Sequence, residues 1–349
     1  MIDYIIVGCG LAGIAFAEKA LANNKTILVI NNQSQNSSKI AGGLYNPVIL
    51  KRFSSVWNAK EQLELLAIFY SELEVKLNVK LDYKIPILRK FHSVEEQNNW
   101  FLATDKPNLS KFLSSELIVK KYDYVSSPFG FGKVLNSGYV DTKLLLESYQ
   151  KYLIHQNLYL EETFNYTDLV FETDFVCYKN LKAKNIVFAE GFGMRLNPLF
   201  NELPLDGTKG ELLIIKAPNL DLDVILKTSL FIVPLGSQLY KVGATYNWDD
   251  KTKTTTEEGK NEILNDLKNF ISCDFEIIEH RAGVRPTVKD RRPLVGTHFE
   301  HKNIHILNGL GTRGVMLAPA MARDLYNYIE NNVPLDIMID IKRINNYGN

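Results

Sequence analysis

Arg285 is the residue whose surroundings most clearly suggest chemistry. It lies in the segment AGVRPTVKDRRPLVG, residues 282–296, directly before Pro286 and after an apolar stretch. A guanidinium pairs with a carboxylate through two parallel hydrogen bonds, which fixes the orientation of a bound acid, and the proline stiffens the backbone that carries it. Arg285 therefore has the chemistry that a carboxylate-binding residue needs. The alternative is a structural ion pair, with Asp290 as the partner.

A glycine loop near the N-terminus offers a second kind of chemistry. In VGCGLAG, the residues Gly8, Gly10 and Gly13 follow a strand and open a helix. The first glycine allows the tight turn, the second lets a pyrophosphate approach the backbone, and the third lets helix and strand pack closely. The open N–H groups and the helix dipole favour phosphate. The spacing predicts a dinucleotide site that includes Leu11 and Ala12; the alternative is a turn chosen for packing alone.

The end of the second strand departs from the usual dinucleotide pattern. An acidic residue normally stands about 20 positions after the glycines and binds the ribose hydroxyls, but here the position holds Asn31. An amide still donates and accepts hydrogen bonds to a diol without the charge-assisted component. We expect Asn31 to contact the nucleotide. An NAD enzyme, or a nucleotide-binding protein without catalysis, shares this first fingerprint.

A second glycine loop lies close to the C-terminus. NGLGTRGVMLAPAMARDLYNYI, residues 308–329, reads as a strand end, a glycine cluster and an amphipathic helix. Gly309, Gly311 and Gly314 leave N–H groups open at the helix N-terminus, where the dipole favours an anionic ring edge. The alternative is a glycine-rich entry to a packed helix.

These loops need a scaffold, and the hydrophobic pattern supplies one. Strands are expected at 4–7, 26–30, 81–91, 184–193, 211–246 (several), 275–284 and 304–308, and helices from the end of the glycine turn at 8–13 to about 23, and at 59–77, 141–155, 256–270 and 315–331. A βαβ unit thus opens the chain, a β-rich block fills the middle, and a strand, loop and helix close it. This order predicts an α/β fold with an inserted sheet domain.

Composition narrows the class of protein. The 349 residues carry 40 basic and 40 acidic side chains, so no overall field attracts a polyanion. Three separated cysteines form no disulfide framework, and six histidines show no metal-ligand spacing, so no metal site is expected. No apolar run approaches the length that spans a bilayer, and the strand-like start predicts no cleaved leader. We expect a cytoplasmic protein.

Four segments together resemble one known family. VGCGLAG is similar to an N-terminal FAD fingerprint, IAGGLYNP (40–47) to a loop beside the flavin, AGVRPTVKDRRPLVG to a G-x-R-P segment, and GLGTRGVMLAP to a closing flavin-ring loop. In this order they resemble the D-amino-acid oxidase superfamily, which includes glycine oxidase and sarcosine oxidase. The likeness is strongest to the branch formed by the FAD domain of the bifunctional enzyme that modifies the wobble uridine of tRNA.

The resemblance implies a fold and a cofactor. It implies a Rossmann-like FAD-binding domain of the glutathione-reductase type, formed by 1–78, 138–200 and 284–349, and an inserted, mainly antiparallel β-sheet substrate domain, formed by 79–137 and 201–283. FAD would be bound without a covalent link, since Cys273 precedes the arginine segment and no cysteine lies within it. Besides the residues given above, the expected FAD contacts are Ala41, Gly42, Gly43, Leu44, Gly191, Thr312, Arg313, Val315 and Met316.

The resemblance also assigns catalytic candidates. Arg285 corresponds to the arginine that pairs with the substrate carboxylate, and Arg313 and Tyr45 are further candidates for substrate contact. Phe231 stands where several of these oxidases carry a tyrosine, so one polar contact to a free amino acid is missing. Arg281, Arg291 and Arg292 are expected to be surface or interdomain charges.

The expected reaction is oxidation of a C–N bond in an amine that bears a carboxylate, by hydride transfer to the flavin. Glycine, sarcosine, D-amino acids and N-carboxymethyl amines belong to this substrate class. Two alternatives stay open at this point. One is removal of the carboxymethyl group from a modified tRNA wobble uridine, with tRNA as partner, and the other is an FAD-dependent 2-hydroxy-acid dehydrogenase.

Overall fold

The computed structural model describes residues 1–344. Seven helices lie in this part of the chain: α1 (Leu11–Leu21), α2 (Ser37–Ile40), α3 (Ala59–Leu77), α4 (Val94–Thr104), α5 (Thr142–His155), α6 (Glu257–Lys268) and α7 (Gly314–Asn331). Its strands are β1 (Ile2–Val7), β2 (Ile27–Ile30), β3 (Leu44–Tyr45), β4 (Val48–Ile49), β5 (Ser54–Ser55), β6 (Asp82–Tyr83), β7 (Ile87–Lys90), β8 (Leu113–Ile118), β9 (Phe131–Val134), β10 (Gly138–Val140), β11 (Tyr159–Leu160), β12 (Leu169–Phe171), β13 (Val176–Tyr178), β14 (Leu181–Phe188), β15 (Thr208–Lys216), β16 (Ile225–Lys227), β17 (Phe231–Gly236), β18 (Leu239–Gly243), β19 (Glu276–Arg285), β20 (Leu294–Thr297) and β21 (Ile304–Asn308).

The first sheet collects strands from both ends of the chain. Its order is β11-β2-β1-β14-β13-β12, and β21 pairs with β14 and with β20. β1 lies parallel to β2 and β14, and β14 lies parallel to β21. Helices α1 and α7 pack against each other beside this sheet. Buried parallel strands joined through helices form the Rossmann-like unit that the sequence predicts.

The second sheet is mainly antiparallel. Its order is β19-β15-β18-β17-β16-β7-β9-β8, and only the pair β16–β7 is parallel. The expected strand at 81–91 is divided into β6 and β7, because Pro86 has no N–H for a ladder and lies between them. β6 instead joins β3 and β10 in a small separate sheet. The predicted fold class, α/β with an inserted antiparallel sheet, is confirmed.

The chain passes from one sheet to the other just after Arg285. β19 pairs with β15 up to Thr208↔Arg285, so the expected domain boundary at 283/284 falls inside this strand. The segment 286–293 then leads to β20 in the first sheet. The predicted division into domains stays a proposal, and positions 345–349 of its last segment lie outside the described residues.

Hydropathy along the helices bears on membrane association. Within residues 1–344, no helix combines the length and the apolar character needed to cross a membrane.

Candidate active site

A cavity of about 840 Å³ is lined by residues of both large sheets. The loop after β1, the segments 30–44 and 189–193, the ends of β15 and β19, and the loop before α7 all contribute to its wall. A volume of this size lies within the range typical of ligand and cofactor sites. The cavity is therefore the candidate functional site.

Most of the residues singled out in the sequence meet in this cavity. The lining includes Gly8, Gly10, Leu11, Ala12, Asn31, Ala41, Gly42, Gly43, Leu44, Gly191, Arg285, Gly311, Thr312, Arg313, Gly314 and Val315. Four of them are not brought to its wall, namely Gly13, Gly309, Met316 and Tyr45. Gly13 and Gly309 instead lie where a Cβ would come too close to neighbouring atoms, so they allow the close packing that shapes the two loops. Met316 is buried in the core.

The first glycine loop has the geometry that a diphosphate needs. Gly8 has a φ of +105°, and a Cβ there would lie 2.4 Å from the carbonyl oxygen of Ala189. A Cβ on Gly13 would lie 2.0 Å from the carbonyl oxygen of Gly8. Helix α1 has no acidic residue in its first turn, and the N–H of Leu11 donates to Oγ of Ser38 over 3.3 Å, so the dipole and the other N–H groups of the first turn are left for an anion. The loop fits the pyrophosphate of FAD.

The second glycine loop brings another helix N-terminus to the same cavity. A short 3₁₀ turn at Gly311–Arg313 leads into α7, whose first turn also lacks an acidic residue. The backbone N–H of Gly311 donates to the carbonyl oxygen of Pro286 over 3.0 Å. This hydrogen bond joins the loop directly to the arginine segment. The position suits the anionic edge of a flavin ring.

The loop at 41–44 is held from two sides. Gly43 has a φ of +78°, and a Cβ there would lie 2.1 Å from the carbonyl oxygen of Val140. The Nζ of Lys241 donates to the carbonyl oxygen of Ala41 over 3.2 Å. Burial lowers the pKa of Lys241 to about 8, because the ammonium is removed from water. The backbone of this loop is thus fixed by a close contact and by a buried amine.

Arg285 projects from the end of β19 across the neighbouring strand. Its Nη1 donates to the carbonyl oxygens of Lys209 (3.2 Å) and Thr245 (3.3 Å), and its Nη2 donates to Thr245 as well. Its Cζ lies 4.9 Å from the centre of the Tyr246 ring, which is cation–π geometry. No carboxylate of the described residues pairs with it. Burial lowers its pKa, because the charge is taken out of water without an anion.

The expected alternative for Arg285 was an ion pair with Asp290, and the structure overturns it. The Oδ2 of Asp290 accepts a hydrogen bond from the Nε of Arg343 over 3.0 Å. Its Oδ1 accepts from the backbone N–H of Arg292. The carboxylate is engaged elsewhere, which leaves the guanidinium of Arg285 available to a ligand in the cavity.

Gly210 makes this position of Arg285 possible, and sequence reasoning missed it. Gly210 lies opposite Gly283 in the β15–β19 pair. A Cβ on Gly210 would lie 1.9 Å from the Nη2 of Arg285. The guanidinium therefore lies flat across a glycine of the adjacent strand. A glycine inside a strand does signal close approach, yet only the strand register shows that the approaching group is Arg285.

Glu190 was also missed. It lines the cavity directly after Ala189, accepting hydrogen bonds from the hydroxyl of Tyr166 (2.5 Å) and from Nδ2 of Asn197 (2.7 Å). Burial nevertheless raises its pKa to about 7, because the two hydrogen bonds only partly offset the loss of water. A buried carboxyl that titrates near neutrality therefore stands beside the first glycine loop.

The aromatic candidates divide into two kinds. The hydroxyl of Tyr45 donates to Oδ1 of Asp82 over 2.8 Å within the small sheet, away from the cavity wall, so Tyr45 is not positioned to contact a substrate. Burial and the neighbouring carboxylate raise its pKa. Phe231 does line the cavity, and its ring abuts the loop at Gly42, where a Cβ would lie 2.8 Å from Cζ.

The cysteines bear on how FAD would be held. Cys9 lies in the first glycine loop and lines the cavity, where burial raises the pKa of its thiol to about 12. Cys273 is buried in the second sheet's core and does not line the cavity. A protonated thiol is a poor nucleophile. Non-covalent binding of FAD stays a prediction.

One cluster of possible metal ligands lies outside the cavity, although the spacing of the histidines in the sequence predicted no metal site. His298, Glu300 and His301 lie together between β20 and β21, with their ligand atoms within 4.8 Å of one another. The Nδ1 of His298 accepts the backbone N–H of Glu300 over 3.2 Å. The imidazole rings of the two histidines are stacked, with centroids 5.0 Å apart.

Comparison with known proteins gives one family. Residues 3–327 match the DAO family, described as FAD dependent oxidoreductase. Among solved structures, glycine oxidase from Bacillus cereus has a TM-score of 0.75 at 19% identity and covers 96% of both chains. Iminodiacetate oxidase from Chelativorans has a TM-score of 0.79 at 16% identity and covers 97% of this chain and 98% of its own. At these identities, the two structures establish a shared fold.

Curated relatives match over shorter stretches. The bifunctional protein MnmC of tRNA 5-methylaminomethyl-2-thiouridine biosynthesis from Idiomarina loihiensis is 26% identical over 150 residues, which are 41% of this chain and 24% of that protein. Glycine oxidase from Bacillus subtilis is 28% identical over 156 residues, 43% of this chain and 42% of that enzyme. The matched region thus spans less than half the length of either relative.

Proposed function

We propose a reaction for this chain, which belongs to the DAO family of FAD-dependent oxidoreductases: it oxidises the C–N bond of an amine that carries a carboxylate. The observation that carries the proposal is the guanidinium of Arg285, which faces the cavity and has carbonyl oxygens and the Tyr246 ring, but no carboxylate of the described residues, as its partners. A buried cation without an anion is costly, and a substrate carboxylate would offset that cost. Glycine, sarcosine and other N-substituted glycines have the required group.

The mechanism divides the work between cofactor and protein. Bound FAD supplies a two-electron acceptor for a hydride from the carbon next to the amine nitrogen. The loops at 8–13, 41–44 and 309–314 would hold it, since their glycines admit a close ligand and two helix N-termini favour its anionic parts. This assignment of contacts is part of the proposal.

The protein's remaining task is to orient the substrate. Arg285 binds the carboxylate in a two-bond fork, and the ring of Tyr246 limits where the guanidinium can move. Gly210 leaves room for that fork beside β15. Fixing one end of a small amine sets the direction of its Cα–H bond, which is a catalytic contribution through orientation. The amine must arrive unprotonated, so that the nitrogen lone pair supports departure of the hydride.

A second candidate is removal of the carboxymethyl group from a modified tRNA wobble uridine. The MnmC proteins among the relatives favour it, and so do two half-exposed aromatic rings near Arg285, Tyr246 (42% exposed) and Trp248 (38% exposed). Unstacked bases bind on such rings.

Arg285 would also serve a 2-hydroxy acid, because such a substrate carries a carboxylate too. A cytoplasmic place of action, expected from the scattered cysteines, belongs to the proposal.

The test is a substrate screen followed by one substitution. Holoenzyme is mixed without oxygen with sarcosine, glycine, D-amino acids, 2-hydroxy acids and modified tRNA, and bleaching of the flavin absorbance identifies the substrate. Bleaching by hydroxy acids alone would contradict the C–N assignment.

Arg285→Ala should then keep the flavin colour and lower kcat/KM for the carboxylate substrate. Losing a buried charged contact costs about 2–5 kcal/mol, which is about 30- to 5,000-fold in rate. Arg285→Lys should recover only part, because an ammonium cannot form the fork. An unchanged kcat/KM in the Ala variant would show that Arg285 does not hold the carboxylate.

A further inference from the structure

Lys209 is a buried cation in the strand that lies beside Arg285. Its side chain is 1% exposed, and it follows Thr208, which pairs with Arg285 in the β15–β19 ladder. Successive side chains of a strand point to opposite faces of the sheet, so Gly210 lines the cavity whereas Lys209 lies behind it. A buried ammonium is costly unless it is paired, and its partners therefore indicate its role.

The side chain of Lys209 binds the segment that connects β18 to α6. Its Nζ donates to Oδ2 of Asp250 over 2.5 Å and to Oγ1 of Thr252 over 3.4 Å. Oε1 of Glu211, which follows on the same face of β15, lies 3.4 Å from this Nζ. The hydrogen bond from Lys209 lowers the pKa of Asp250 to about 2, as is expected of a carboxylate in a close ion pair.

The backbone of Lys209 binds the same segment. Its N–H donates to the carbonyl oxygen of Asn247 over 2.9 Å, and its carbonyl oxygen accepts from the N–H of Asn247 over 3.0 Å. Oδ1 of Asn247 accepts from the backbone N–H groups of Asp249 (2.8 Å) and Asp250 (2.9 Å). These bonds form a turn that directs the carboxylate of Asp250 back to Lys209.

The hydrogen bonds of Arg285 go to the same two elements. The guanidinium donates to the carbonyl oxygens of Lys209 and Thr245, and it lies over the ring of Tyr246. Thr245 and Tyr246 directly precede Asn247, so they move with the segment that Lys209 holds. The bonds engage Nη1 and one N–H of Nη2, which leaves the N–H of Nε and the other N–H of Nη2 for a carboxylate.

We propose that Lys209 is a positioning residue for substrate binding. With its backbone and its ammonium it fixes the segment 245–252, and this segment presents the remaining donors of Arg285 to the substrate carboxylate in one orientation. The inference rests on the proposed function and adds to it a residue that does not line the cavity. A two-bond fork needs both donors in place, so a shift of the segment weakens carboxylate binding.

A purely stabilising ion pair would behave differently. Its loss would lower the free energy of unfolding, but the folded protein would bind a carboxylate as before. Carboxylate affinity, measured in folded holoenzyme, therefore separates the two roles.

Butyrate, the carbon analogue of sarcosine, measures that affinity without turnover. It is titrated into holoenzyme, and the change in flavin absorbance gives the Kd. We expect the Kd to rise about tenfold in Lys209→Met and in Asp250→Ala, since a hydrogen bond to a charged group is worth about that much. Asp250→Ala should fold even if Lys209→Met does not, because Lys209 keeps Glu211 as a partner.

Two further variants serve as rescue and control. Asp250→Asn should recover part of the affinity, because an amide oxygen still accepts from Nζ of Lys209. Asp249→Ala removes the same charge from an exposed neighbour in the same turn, and it should bind butyrate as the wild type does. An equal loss in the Asp249 variant would overturn the positioning role, and so would unchanged affinity in Asp250→Ala.

Coupling to Arg285 is the decisive measurement. In the Arg285→Ala background, adding Asp250→Ala should change the Kd by less than about twofold, because no guanidinium is left to position. A further tenfold loss in that background would show that Asp250 and Lys209 act independently of Arg285. Butyrate binding that is unaffected by Arg285→Ala would instead refute the carboxylate site of the proposed function, and the positioning role with it. Binding that depends on Arg285 but not on Lys209 or Asp250 would leave the proposed function standing and remove the positioning role alone.

Discussion

In the glycine-loop part of the cavity the protein offers backbone N–H groups, whereas in the part formed by β15 and β19 it offers a guanidinium. Gly8 and Gly13 keep strand, turn and helix in contact at distances that no side chain allows. Arg285 instead depends on a glycine of another strand and on carbonyl oxygens of Lys209 and Thr245. A site built from backbone is encoded within a few consecutive residues, and a site built from side chains is encoded in the pairing of distant strands.

The largest effect should come from breaking the backbone-built part. Gly8→Ala places a Cβ 2.4 Å from the carbonyl oxygen of Ala189 and requires a φ of +105°. We expect FAD affinity to fall about 1,000-fold or more, since rigid backbone cannot yield and strain of several kcal/mol falls on the loop. Gly236→Ala is the control, because it also has a positive φ, +85°, but no atom within 4 Å. Normal FAD content in the Gly8 variant would remove this loop from the binding site.

An intermediate effect, on the pH dependence of stability, should follow from replacing Glu190, whose carboxyl lies beside the backbone-built part of the cavity. Its pKa is raised from 4.5 to about 7 in the folded protein, so the folded state holds its proton more tightly than the unfolded state. Its contribution to stability is therefore complete below pH 4.5 and is lost as the pH rises through about 7. Against Glu190→Gln, the free energy of unfolding of the wild type should fall by about 3 kcal/mol across this window.

Thermal unfolding of both proteins between pH 4.5 and 8 measures that difference. Parallel stability curves would show that the carboxyl does not change its charge in this range. A wild type that gains stability with rising pH, relative to the variant, would contradict the direction of the shift.

The smallest effect should come from the side-chain-built part, because a guanidinium can move. Gly210→Ala places a Cβ 1.9 Å from Nη2 of Arg285, and the flexible end of the arginine shifts rather than the sheet. We expect the stability to change by less than about 1 kcal/mol. A displacement on the order of 1 Å should lower kcat/KM about 10- to 100-fold. Gly193→Ala, which faces only the flexible Gln35 in the same cavity, is the control.

Equal loss of activity in the Gly210 and Gly193 variants would mean that the cavity tolerates no added methyl group anywhere. A stable Gly210 variant with full activity would place the substrate carboxylate away from Arg285.

The same contrast explains what could be predicted from sequence. The fold class and the FAD family are confirmed, and each glycine loop lies between a strand and a helix as predicted, because the strand–turn–helix pattern and the glycine spacing are local. Their role in binding FAD stays a prediction. Helix α3 begins and ends where its pattern predicts, at Ala59 and Leu77. The helix expected at 141–155 is α5, Thr142–His155, and the side chain of Asp141 caps it by accepting a hydrogen bond from the N–H of Leu144.

What the sequence did not reveal depends on non-local contacts. Tyr45 was a catalytic candidate because it follows the flavin loop, but alternation along β3 turns its hydroxyl to Asp82. Gly210 could not be matched to Arg285 without the register of β15 and β19. The pairing of Asp290 with Arg343 could not be predicted either, because the two residues lie 53 positions apart in the chain.

The first sheet also determines when the protein can finish folding. Ile5 of β1 pairs with Ile186 of β14, and Ile186 pairs with Ile304 of β21. A ribosome adding about 5–20 residues per second completes β21 roughly 15 to 60 s after β1. During synthesis β1 and β2 therefore wait with their apolar faces uncovered, while β15 to β19 can already pair among themselves. Binding of the flavin nucleotide therefore follows synthesis of nearly the whole chain. A chaperone that covers the β1–α1–β2 segment during synthesis would raise the yield of active enzyme.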